Sequence, residues 1–99
     1  MAALKWTPEA LRWLEDIHRY IARDNPHAAA KVIDGIVKKA ELVANFSGIG
    51  TRLRVEPEGD IRMILYGHYR IVHLCRNDED VVEILGVFHD ALNIEKYFS

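Results

Sequence analysis

The sequence predicts an α+β domain in which an N-terminal helical hairpin packs on a small antiparallel sheet, and three observations support this. Thr7-Pro8-Glu9 and Asp24-Asn25-Pro26 each place a capping residue before a proline, and each opens a stretch with apolar residues at three- and four-residue steps. Gly67-His68 joins two apolar runs with the length of a two-residue hairpin loop. The helical patterns all precede the main strand patterns, with no linker, repeat or low-complexity segment between them, which is the α+β order.

Leu4-Lys5-Trp6 reads as a short strand. Thr7 then caps a helix, Pro8 suits its first position, and Glu9 favours the positive end of the helix dipole. Ala10, Leu14, Ile17 and Ile21 form its buried stripe, and the helix stops near Arg23. A second helix begins at Pro26, with Ala29, Ile33, Ile36, Ala40 and Val43 on one side, flanked by Val32, Val37 and Ala44. So wide a band suits a helix that touches both its partner helix and a sheet, and Gly35 permits a close approach at a cost in helix propensity. Asn45 to Gly50, with two glycines, ends it.

The sheet follows as a meander of Ile61–Tyr66, Tyr69–Arg76 and Val81–Phe88, the middle strand central, with a short C-terminal helix after His89. If Tyr66 faces Tyr69 and Arg76 faces Val81, one side carries Ile64, Tyr66, Tyr69, Ile71, His73, Cys75, Ile84 and Phe88. The other carries Met63, Leu65, Arg70, Val72, Leu74, Leu85 and Val87. Neither side is polar, and a chain of 99 residues builds one core, so the second face is expected to be covered by another molecule.

Composition bounds the function. The chain is 49% apolar and 28% charged with a net charge of -2, and it has no apolar run approaching a membrane span. Met1 to Lys5 lacks the basic start and long apolar core of a signal peptide, and the only cysteine, Cys75, lies within a strand, so a cytoplasmic location without disulfides is expected. Charge is unevenly placed: Arg52, Arg54, Arg62, Arg70 and Arg76 accompany His68 and His73 in the strands, while Asp78, Glu79, Asp80 and Glu83 crowd the last hairpin. Such a strip either orients an anionic partner or is simply solvated.

No metal-ligand spacing and no cofactor motif are present. Gly48-Ile49-Gly50 follows a helix, so it is a turn and not a phosphate loop. Trp6 and Trp13 read as packing anchors, His73 as a core histidine with its hydrogen bonds made, and His18 and His27 as surface residues. His89 is either an acid–base group or a capping histidine where the last strand ends.

With these residues in order, the chain resembles the RelE/ParE superfamily of bacterial type II toxins over nearly its whole length. Trp6-Thr7-Pro8-Glu9-Ala10 matches the start of the first helix, Ser47-Gly48-Ile49-Gly50 the loop after the hairpin, and Arg62 precedes Tyr69-Arg70-Ile71. Val87-Phe88-His89 with Asn93-Ile94 resembles the ParE ending, although Asn93 stands where an acidic residue is usual and Ala91-Leu92 lacks an arginine. The resemblance implies a cognate antitoxin as partner, expected on Met63, Leu65, Val72, Leu74, Leu85 and Val87. It favours the ParE branch, which is associated with inhibiting DNA gyrase by binding and without a hydrolytic site, because Ile61 and Met63 stand where the RelE branch carries lysines.

Target contact is then expected from Arg70, His89, Ile94, Tyr97 and Phe98, with Arg70 alternatively paired to the antitoxin or to Glu83. No membrane partner is expected, and no sequence-specific DNA binding by this chain alone. Two alternatives stand beside this one. A ribosome-dependent mRNA endonuclease would use Arg54, Arg62, Arg70, His89 and Tyr97, and a degenerate module would keep antitoxin binding without toxicity.

Overall fold

The computed structural model describes residues 2–46, 48–76 and 80–89. Strand β1 (Ala3–Trp6) leads into helices α1 (Pro8–Ala22) and α2 (Pro26–Asn45). Strands β2 (Thr51–Glu56), β3 (Gly59–Tyr66), β4 (Tyr69–Arg76) and β5 (Val81–His89) follow. The sheet order is β1-β5-β4-β3-β2, antiparallel except that β1 runs parallel to β5. The helical hairpin, the meander and the Tyr66–Tyr69 hairpin therefore stand as expected. The C-terminal helix expected after His89 lies outside the described residues.

Both helix starts use the anticipated caps. The Thr7 hydroxyl accepts from the Ala10 amide at 3.1 Å, and the Asn25 side chain accepts from the Ala28 amide at 3.0 Å. Ala10, Ile36, Ala40 and Val43 then close the main core against Ile71, Val82, Ile84 and Val87. Gly35 lets α2 approach β3 closely: a Cβ there would lie 1.9 Å from the Tyr66 hydroxyl oxygen.

Three features differ from expectation. Strand β2 is an edge strand missed in the sequence, because Arg52 and Arg54 interrupt its apolar character and a bulge at Leu53 breaks its alternation. A second bulge falls in β5: Val72 pairs with Gly86 but His73 with Ile84, so Leu85 is the extra residue. Alternation reverses beyond it, which places Val87 opposite Ile71 on the helix side and Phe88 opposite Arg70 on the other, the reverse of the expected faces. Gly86 accommodates the change, since a Cβ there would meet the Phe88 ring at 2.6 Å.

The third difference concerns the face away from the helices, which was expected to need an external cover. Ile61, Val72, Leu74 and Phe88 form a second small core there, each at most 6% exposed. Leu53, Met63 and Leu85 pack against it, and Trp13 reaches it from α1, meeting the Phe88 ring edge-on at 4.7 Å between centroids. Packing within the chain thus covers most of a face that alternation alone marks as open.

Candidate functional site

On the face away from the helices, the apolar residues expected to meet a partner differ in accessibility. Leu65 is 53% exposed, Met63 and Leu85 are half-buried, and Val72 and Leu74 are buried. Val87 lies on the opposite side, fully buried in the main core, and is corrected out of the partner surface. Arg70 stands at the rim of this face between Leu65 and Phe88 in the strand register, with a guanidinium nitrogen 3.9 Å from the Met63 sulfur. Its Nε is buried without a hydrogen bond. Glu83 is engaged by Arg76 Nε at 2.5 Å, so it is not the partner of Arg70.

The residues a nuclease would require are divided. Arg54 and Arg70 lie on the face away from the helices, Arg54 in an ion pair with Glu56. Arg62 is on the helix side, donating to the Gly50 carbonyl at 3.1 Å and to Asp60 at 3.4 Å, and Arg52 approaches the same carboxylate at 3.1 Å. His89 ends β5 beside Tyr69, its ring edge-on at 5.6 Å and stacked with His68 at 6.1 Å. Tyr97, with Ile94 and Phe98, lies outside the described residues. Acid–base chemistry on one phosphate requires its groups to converge within hydrogen-bond reach, and these arginines sit on opposite sides of a sheet.

His73 is fully buried on the helix side, across from Arg62 and Ile84. The expected hydrogen bonds are not made: neither ring nitrogen has a partner. Burial holds its pKa below the ordinary 6.5 and the Arg62 charge adds to this, while the carbonyls of Ile71 and Ile49 oppose the shift without completing a hydrogen bond. His18 and His27 are exposed as expected. Among the described residues no group of three or more histidine, cysteine or acidic side chains is placed to hold a metal ion, and no helix is long and apolar enough to cross a membrane.

One concave site was missed in the sequence. A groove of about 420 Å³ runs between α1 and the ends of β4 and β5, bounded by Trp13, Asp16, Ile17, Tyr20, Tyr69 and Val87, with His89 at one end. Its residues are far apart in the chain, and each taken alone reads as core or surface. The one available signal was Tyr20, a large aromatic 73% exposed in the fold and off the apolar stripe of its helix.

Solved structures share this architecture. The chromosomal ParDE toxin–antitoxin system of P. aeruginosa contains a chain that matches with a TM-score of 0.68 at 23% identity, covering 90% of this chain and 96% of that one. The toxin–antitoxin complex RelBE2 of Mycobacterium tuberculosis matches with a TM-score of 0.60 at 24% identity, covering 89% and 96%. In sequence, the chain is 33% identical over 86 residues to Y4kP of Sinorhizobium fredii, a candidate toxin by its name, covering 87% of this chain and 85% of that protein. Residues 4–93 match the family model of the ParE toxin of the type II toxin–antitoxin system parDE. That match spans the helical hairpin, strands β2 to β5, most of β1 and the groove alike, and the chain therefore belongs to the ParE toxin family.

Proposed function

We propose that this toxin acts by binding a type II topoisomerase, DNA gyrase, and that a cognate antitoxin neutralises it. The division of Arg54 and Arg70 from Arg62 and His89 across the two sides of the sheet carries this reading. An RNA-cleaving site needs a base, an acid and cations around one phosphate, and Ile61 and Met63 put apolar side chains where such charges would be useful. Arg70 is the target contact on this reading, because its guanidinium rests on Met63 at the rim of an apolar face and lacks a full set of hydrogen-bond partners. The antitoxin covers the remaining accessible part of that face, namely Met63, Leu65 and Leu85.

The purified chain is to be added to a gyrase supercoiling reaction and, separately, to a translating ribosome with mRNA ends mapped. Inhibited supercoiling that Arg70→Ala relieves, with intact mRNA, is the expected result. Codon-phased cuts in mRNA with gyrase unaffected would reverse the assignment, and inactivity in both assays with antitoxin binding retained would leave a non-toxic binding module.

A further inference from the structure

We propose that the groove between α1 and the ends of β4 and β5 receives an arginine side chain on an apolar segment of the cognate antitoxin, an inference that rests on the antitoxin partnership proposed above. The groove joins three features that together select such a side chain. Ile17 offers an apolar surface against which a three-carbon stem lies. Tyr20 and Tyr69 supply aromatic surface on which a planar guanidinium stacks. Asp16 supplies a carboxylate at the rim, whose two oxygens match the paired donors of that group.

The electrostatics favour a cation at this place. The ionic partner of Asp16 among the described residues is Arg19, one turn along the same helix at 3.2 Å, and both side chains are 67% exposed. Solvent-exposed pairs of this kind are weak and exchange readily for a partner held in a less hydrated site. Tyr20 and Tyr69 both line the groove, and the Tyr69 phenol is raised above its ordinary value, first by burial and then by the Tyr20 phenol. Tyr20 remains 73% exposed although it is the kind of large, rigid aromatic that anchors interfaces.

Strand β1 pairs with β5 only from Val81 to Ile84, and past that point β5 lies between β4 and α1, whose Trp13 meets the Phe88 ring. The groove lies on the helix side of β4 and β5, so a peptide seated there presents one side chain between α1 and the sheet. A volume of about 420 Å³ accommodates a side chain and its immediate flanks, and arginine is preferred to lysine because stacking and paired hydrogen bonding both need a planar donor group.

The test uses blocked tripeptides with arginine, lysine or glutamate between two leucines, titrated into the purified chain at pH 8 while the Trp13 indole and Tyr69 ring resonances are followed. The arginine peptide should shift both signals saturably and bind several-fold tighter than the lysine peptide, with no saturable effect from glutamate. Asp16→Asn should weaken both the arginine peptide and the antitoxin encoded beside the toxin by about tenfold, with the near-ultraviolet spectrum unchanged. Equal binding of the arginine and glutamate peptides, or peptide binding indifferent to Asp16→Asn, overturns the arginine site. Antitoxin binding that ignores Asp16→Asn overturns the assignment of the groove to the antitoxin. Failure of the neighbouring gene's product to bind the unaltered chain at all overturns the antitoxin reading itself.

Discussion

The Thr7 hydroxyl accepts from the Ala10 amide and donates to the Ile84 carbonyl at 2.9 Å, so one side chain both caps α1 and fastens it to β5 beside the bulge. The Thr7 amide bonds the same carbonyl at 3.1 Å, which fixes the point where the chain leaves the sheet. Thr7→Ala removes the cap and leaves Ile84 with one bond fewer, and it should destabilise the domain by about 1–2 kcal/mol. Thr7→Ser keeps the hydroxyl and should recover most of that loss in urea denaturation. An alanine variant as stable as the parent would show that the Thr7 amide alone holds the junction.

Gly86 and Phe88 should be coupled, because the ring of Phe88 occupies the space that a Cβ at position 86 would need. Phe88 is 3% exposed and rests against Trp13, so it has little freedom to retreat. Gly86→Ala should therefore cost about 1–3 kcal/mol through overpacking. In the Phe88→Leu background the same change should cost less, and the double-mutant cycle measures the difference. Additive costs would mean that the bulge relaxes around the new methyl group.

Local chemistry explains which parts of this fold were legible. The Thr7-Pro8 and Asn25-Pro26 caps and the Tyr66–Tyr69 hairpin depend on residues within a few positions of one another, and all were read correctly. The Leu85 bulge depends on contacts from far away, since Thr7 holds the Ile84 carbonyl across 77 positions, and no local pattern announces the reversal of Val87 and Phe88. Burial of Val72 and Leu74 was hidden for the same reason, because their cover includes Trp13 from α1 and Leu53 from an unanticipated strand. The groove combines residues 13–20 with residues 69 and 87–89, so it exists only once α1 has packed beside β5.

His73 should make stability depend on pH in the mildly acidic range. Its folded pKa lies below 6.5, so between the folded value and the ordinary value the unfolded chain binds more protons than the native one. Stability contributed by the neutral, buried ring is then full above the unfolded pKa and falls as pH drops through this window. The facing Arg62 cation works in the same direction, with Asp60 already engaged by Arg52 and Arg62. His73→Leu removes the titrating group and two unpaired polar atoms, and should flatten the urea midpoint between about pH 5 and 7. A parent whose midpoint is already flat there would show that the ring is protonated at no cost in the native state.

Leu65 and Val72 both lie on the face away from the helices, yet aspartate at the two positions should give opposite outcomes. Val72 is fully buried in the second core, where an unpaired carboxylate costs several kcal/mol, so Val72→Asp should prevent folding. Leu65 is 53% exposed, and Leu65→Asp should leave the melting temperature nearly unchanged because its carboxylate remains hydrated. If the antitoxin covers this face, the same Leu65 variant must bury a charge at the interface. Its affinity should fall by at least tenfold, since burying a leucine-sized side chain contributes roughly 1.5–3 kcal/mol even before the carboxylate is desolvated. A folded Leu65→Asp variant that binds the antitoxin as well as the parent does would move the antitoxin off this face and leave the groove beside α1 as the principal contact.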